Sequence, residues 1–170
     1  DGGAPRQLTR GEFNVFGMPA WSKDGDSLYV SANKDSEGDY DPLESEVYRV
    51  ALADAAMTRL TRRAGPDQAP RLSPDGKRLA YLGFDDKGMS YANARLHVLD
   101  LASGKSRVLS EDLDVGIDAA EWIDDRSIAV TYDSRGSTHV AKVAVADGRH
   151  SSLVNDLGGT GIGRPYTGGA

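Results

Sequence analysis

Asp35-Ser36-Glu37-Gly38-Asp39-Tyr40-Asp41 sets four carboxylates at alternate positions, enough hard oxygen donors to consider a calcium site. Its spacing is not that of an EF-hand loop, and a solvated connection between two strands is the preferred reading. Polar stretches at equivalent places later in the chain, Asp85-Asp86-Lys87-Gly88 and Asp133-Ser134-Arg135-Gly136, support a loop role for all three. The three histidines are too scattered for a catalytic or metal constellation. His97 and His139 fall within strand patterns that favour packing, and His150 follows the polar turn Asp147-Gly148-Arg149. Gly158-Gly159-Thr160-Gly161-Ile162-Gly163 is rich in glycine but lacks both GxGxxG spacing and a strand-helix-strand setting, so it reads as a linker. No Gly-x-Ser-x-Gly nucleophile elbow occurs. The sequence therefore assigns no catalytic residue, no cofactor-binding residue and no metal ligand.

Composition narrows the classes of chemistry further. The absence of cysteine removes disulfides, thiolate metal sites and thiol nucleophiles, and leaves the periplasm and the cytoplasm equally open. A net charge of −6 offers no broad attraction for nucleic acid or an anionic membrane. No apolar run approaches the roughly 20 residues that span a bilayer, and Asp1-Gly2-Gly3-Ala4-Pro5 lacks the regions of a signal peptide, so a soluble chain is expected.

What must position any functional side chain is a repeat. Pro19-Ala20-Trp21-Ser22-Lys23-Asp24-Gly25-Asp26-Ser27-Leu28-Tyr29-Val30 returns 51 residues later (70 − 19) as Pro70-Arg71-Leu72-Ser73-Pro74-Asp75-Gly76-Lys77-Arg78-Leu79-Ala80-Tyr81. A third copy, Ala120-Glu121-Trp122-Ile123-Asp124-Asp125-Arg126-Ser127-Ile128-Ala129-Val130, follows after 50 more (120 − 70), one residue shorter and without the turn glycine. Each copy reads as a short strand, a turn needing a positive φ, and a second strand of period two. In the first copy Leu28, Val30 and Ala32 share one face, with Tyr29 and Ser31 on the other. Leu79 to Phe84 is apolar on both faces, as in a strand packed between two sheets. Trp21, Trp122, Tyr29 and Tyr81 recur beside the turns and are expected in the core rather than on a ligand.

Third strands are expected at Glu46–Val50, Arg95–Leu99 and His139–Val143, and fourth strands at Thr58–Thr61, Ser106–Leu109 and Ser151–Val154. Four strands in about fifty residues make a propeller blade, so the fold class is all-β, a β-propeller fragment of about three four-stranded blades. A β-sandwich is the structural rival, and the regular repeat argues against it. The blades are expected over residues 11–62, 63–111 and 112–157 within a partial propeller covering 1–170. Residues 1–10 are expected to be the last strand of a preceding blade, because Arg6-Gln7-Leu8-Thr9-Arg10 matches Arg59-Leu60-Thr61-Arg62. Residues 158–170 are expected to link to a further blade, since Gly163-Arg164-Pro165-Tyr166-Thr167-Gly168-Gly169 has the look of another repeat beginning.

Leu72-Ser73-Pro74-Asp75-Gly76-Lys77-Arg78-Leu79-Ala80-Tyr81 resembles the repeat of TolB-type propellers and of the propellers in the prolyl oligopeptidase family of serine peptidases. Asp39-Tyr40-Asp41-Pro42-Leu43-Glu44-Ser45-Glu46-Val47-Tyr48-Arg49-Val50 and Tyr132-Asp133-Ser134-Arg135-Gly136-Ser137-Thr138-His139-Val140-Ala141 are more specifically similar to bacterial acylaminoacyl-peptidase and dipeptidyl-peptidase-like members. This resemblance implies a propeller that caps an α/β-hydrolase domain of the same parent chain and selects peptide substrates, with the nucleophile, acid and histidine in that other domain. No segment matches the family's helical glutamate motif. The alternative is a TolB-like interaction propeller without enzymatic activity.

Overall fold

The computed structural model describes residues 3–35, 38, 40–89 and 91–158. Its strands fall into three antiparallel sheets of four, each a meander in which successive strands are neighbours. Blade 1 holds β1 (Asn14–Trp21), β2 (Ser27–Asn33), β3 (Glu46–Ala51) and β4 (Met57–Arg59). Blade 2 holds β5 (Asp67–Leu72), β6 (Arg78–Gly83), β7 (Arg95–Asp100) and β8 (Ser106–Val108), and blade 3 holds β9 (Ala119–Asp124), β10 (Ser127–Ser134), β11 (Ser137–Ala144) and β12 (His150–Val154). The first strands β1, β5 and β9 lie side by side, so the blades converge on their inner strands.

The repeated turn forms because its residues satisfy one another. In blade 2, Ser73 Oγ donates to Asp75 Oδ1 at 2.5 Å and accepts from the Arg78 amide at 3.0 Å, while Gly76 takes φ 78°. Blade 1 repeats the pattern with Ser22, Asp24 and Gly25 at φ 75°. The glycine missing from the third copy is not needed there: Asp124 Oδ1 accepts from the Arg126 amide at 2.7 Å and the Ser127 hydroxyl at 2.8 Å, closing a shorter turn. Ser73→Ala removes both bonds and leaves the Arg78 amide without this partner. The expected loss is about 1 kcal/mol, read as a lower urea midpoint with unchanged m-value.

Blade 2 is the packed layer between the others. Leu79 and Tyr81 face blade 1 against Tyr29 and Val47, whereas Ala80 and Leu82 face blade 3 against Ile128, Val130, Ala141 and Val143. The two-sided apolar pattern of β6 thus has its cause, and each fully buried aliphatic side chain contributes about 1.5–3 kcal/mol. In blade 1, Leu28, Val30 and Ala32 share the face away from blade 2, with Leu8 and Phe13 laid over part of it. Residues 3–10 form no strand, although the sequence match to Arg59–Arg62 leads to the expectation of one.

Three of the four aromatics expected in the core pack there: Tyr29 and Tyr81 are buried, and Trp122 packs into the seam between blades 2 and 3. Trp21 departs from the expectation at 59% exposed. Its repeat equivalents Leu72 and Trp122 each face the blade before their own, and no preceding blade stands on that side of Trp21 among the described residues.

Candidate functional site

A polar cluster sits where the connector from β4 to β5 threads past the end of β6. Arg63, from that connector, reaches the carboxylate of Asp67, the Asp85 carboxylate at 2.9 Å and the Pro66 carbonyl at 3.2 Å. Asp67 opens β5 with no exposed surface, and its amide donates to Ser45 O of blade 1 at 2.7 Å. One oxygen, Asp67 Oδ2, has no hydrogen-bond partner among the described residues, and neither has Arg63 Nε beside it. The Thr61 hydroxyl stands between Asp67 and the buried Glu46, which also pairs with Arg59. Burial pushes the Asp67 carboxyl up to about 6 against the pull of Arg63.

Tyr81, His97 and Ser106 form the other wall. The Tyr81 and His97 rings stack with centroids 4.9 Å apart, and the Tyr81 hydroxyl lies 2.6 Å from Ser106 Oγ. Burial drives Tyr81 up to about 12, while His97 is pushed down to about 4, first by burial and then by Arg63.

A serine, a histidine and two aspartates therefore meet in one cleft, yet not as a nucleophilic triad. Ser106 Oγ is engaged by Tyr81, and His97 Nε2 lies against the Gly83 carbonyl at 3.3 Å, so this geometry holds no serine-to-imidazole hydrogen bond. A histidine held neutral and stacked on tyrosine is a packing element. Blade 3 repeats the device: Tyr132 and His139 are cross-strand partners as Tyr81 and His97 are, with rings 5.3 Å apart. His150 opens β12 as an exposed residue. Among the described residues no group of three or more His, Asp or Glu side chains is arranged to hold a metal ion. In the acidic loop, Asn33 spans the strand end, its amide donating to Asp41 O at 2.8 Å and its side-chain oxygen accepting from the Asp35 amide at 3.0 Å. Ser36, Glu37 and Asp39 of that loop, and residues 159–163 of the glycine-rich stretch, lie outside the described residues.

Sequence reasoning missed the Arg63–Asp67–Asp85 cluster. Its available signal was Gly83, which breaks the apolar run of β6 at the point where another backbone comes close.

The seams between blades 2 and 3 and along the inner strands are closed by cross-blade bonds. Trp122 Nε1 donates to Arg71 O at 2.9 Å, Arg71 pairs with Glu121 at 2.5 Å, and the Asp75 amide donates to Asp125 Oδ1 at 2.8 Å. The wall around the blade axis is therefore continuous from β5 to β9, and it carries packing and ion pairs.

Comparison with known proteins finds similarity to two kinds of propeller protein. The family described as the dipeptidyl peptidase IV (DPP IV) N-terminal region matches residues 1–80. Dipeptidyl-peptidase 5 of Porphyromonas gingivalis is 26% identical over 133 residues, 76% of this chain and 19% of the peptidase. The chain is similar to the N-terminal region of dipeptidyl peptidases. The Tol-Pal system protein TolB of Francisella tularensis is 31% identical over 94 residues, 54% of the propeller segment and 20% of TolB. The segment thus spans about a fifth of the length of the curated relatives it matches. In structure, it superposes on puromycin hydrolase with a TM-score of 0.72 at 23% identity, covering 92% of the segment and 26% of the hydrolase, which places both on the same blade architecture. The segment is a propeller portion, similar both to peptidase N-terminal propellers and to TolB.

Proposed function

We propose that these blades belong to a serine peptidase, where they wall a passage that restricts which peptides reach an α/β-hydrolase domain of the same parent chain. The observation that carries this reading is the match to the dipeptidyl peptidase N-terminal region, on a wall whose inner strands are tied blade to blade and whose one serine-histidine cleft is committed to packing. The apolar face of blade 1 bearing Trp21 is then the face a further blade covers, with residues 1–10 belonging to that blade's end and residues 158–170 leading to another. Selection is steric: a rigid ring excludes chains too bulky or too folded to pass, and its charge and shape set which short peptides enter.

Two measurements test this. The purified 170-residue chain is expected to show no active-site-dependent turnover of aminoacyl or peptidyl chromogenic substrates, and turnover by it would overturn the reading. The native source protein carrying the segment is expected to be much larger and to be labelled by a fluorophosphonate that modifies activated serines. A smaller, unlabelled source protein would instead favour an interaction propeller, the reading to which the TolB similarity points.

A further inference from the structure

The blades present two unlike rims. Each blade is a meander of four strands, and because four is even the chain enters the first strand and leaves the fourth at the same rim. This connector rim gathers the blade-to-blade links, 60–66 and 109–118, and the loops between second and third strands, 34–45 and 84–94. The opposite rim is made of tight hairpin turns, in which Asp24, Asp54, Asp75, Asp100, Asp124 and Asp147 each accept a hydrogen bond from a backbone amide two or three residues on. Their surfaces differ accordingly. Among the described residues, the large hydrophobic side chains exposed outside strands are Tyr40, Leu43, Met89, Tyr91 and Leu157, and all five lie on the connector rim. The loops that carry the first four are fixed at their bases. Glu44 of the blade 1 loop accepts from the Gly65 amide of the connector at 3.0 Å, while the neighbouring Arg63 pairs with Asp85 of the blade 2 loop at 2.9 Å and Ala64 O accepts from the Asp86 amide at 3.0 Å. Gly65, at φ 110°, runs so near that a Cβ there would meet the Phe84 carbonyl oxygen. The connector thus clasps the two loops together, with Arg63 as the pin. In blade 3 the equivalent link is only the turn Arg135-Gly136. Loops ordered at the base and apolar towards the tip form a preorganised contact surface.

We propose that the connector rim, through Tyr40, Leu43, Met89 and Tyr91, is the surface on which the α/β-hydrolase domain of the parent chain docks, and that the turn rim faces solvent. The inference rests on the gating reading above and adds the side from which the domain approaches. Chain continuity selects this occupant. A domain joined to the blades through a whole number of four-strand meanders, before or after them, is tethered at the connector rim, so its effective concentration is highest there. To reach the turn rim it would need a linker running the full height of a blade. Scattered apolar side chains among polar ones also match the composition of interfaces between domains of one chain.

Site-specific photocrosslinking in the intact source protein tests it. Photoreactive benzoylphenylalanine in place of Tyr40 or Tyr91 is expected to crosslink to peptides of the domain that bears the fluorophosphonate-labelled serine. The same probe in place of Lys23 or Lys105, on the turn rim of the same two blades, is expected to give no such crosslink. All four side chains are exposed, so the replacements leave the blade cores untouched, and fluorophosphonate labelling of each variant checks that the hydrolase domain is folded. In a labelled source protein, crosslinks to the serine-bearing domain from the turn rim, or from neither rim, overturn the rim assignment and leave the gating reading standing. A source protein without a labelled serine overturns both, and crosslinks from Tyr40 and Tyr91 to a separate protein would then mark this rim as the contact surface of an interaction propeller.

Discussion

Gly83→Ala is expected to cost about 3 kcal/mol. A Cβ at Gly83 would run into the Pro66 carbonyl oxygen and the Arg63 guanidinium, and would stand 2.6 Å from Asp67 Oδ1. None of these can retreat cheaply. Pro66 O is backbone, and Arg63 and Asp67 hold each other in a buried ion pair, so the methyl must either shift the connector or break the pair and strand a charge. The cost is packing alone, because Gly83 is not among the residues with positive φ. Gly25→Ala is the control: at φ 75° with nothing within 4 Å of its Cβ, it should lose only about 1 kcal/mol through backbone strain. Urea unfolding of both variants checks the contrast. At this chain length a 3 kcal/mol loss corresponds to a fall in Tm of roughly 6–12 °C, and a Gly83→Ala variant as stable as Gly25→Ala would show that the connector is not held as described.

Acid should act on the same cleft in two opposite senses. Asp67 titrates near 6 in the fold against 3.8 when unfolded. The folded state therefore holds the proton more tightly, and this contribution to stability is full below 3.8 and lost as pH rises through 6. His97 titrates near 4 in the fold against 6.5 when unfolded. Its contribution is full above 6.5 and lost as pH falls towards 4. Each amounts to roughly 3 kcal/mol, and across pH 4 to 6 they offset each other. Substitution should separate them. Wild type minus Asp67→Asn stability is expected to move in favour of wild type by roughly 3 kcal/mol between pH 7.5 and 4, whereas wild type minus His97→Gln moves the opposite way by a similar amount. Using differences cancels the exposed carboxylates Asp24, Asp100 and Asp124, whose turn hydrogen bonds lower their titration in every variant. Parallel curves for the two variants would refute the assignment.

The blades were legible in the sequence because the determinants of a hairpin are local. Ser73, Asp75 and Gly76 lie within four residues and satisfy one another, and β6 announces a two-sided environment by six apolar or small residues in a row. The start of β1 was less legible: pairing runs from Asn14, beyond a register shift between Phe16 and Ala20 that breaks the period of two. The charged cleft was not legible at all. Arg63 sits in a connector, Asp67 opens a strand, Asp85 lies in a loop and His97 is mid-strand, so no spacing joins them and only the threading of connector past strand does. Trp21 shows the reverse limit, a residue whose burial depends on what stands beside its blade and not on its own pattern.

Because every strand pairs with its chain neighbour and every blade packs only on the next, the energetic couplings run in one dimension. Blade 2, with cover on both faces, is the natural place for order to begin, and it spreads outward by closing one seam at a time over short loops, whose closure entropy is small. A lesion at Gly83 would then loosen the first seam while leaving the Ile128–Val143 seam able to form. The same chain could gain or lose a blade at either flank over evolutionary time, with the cost confined to a single interface.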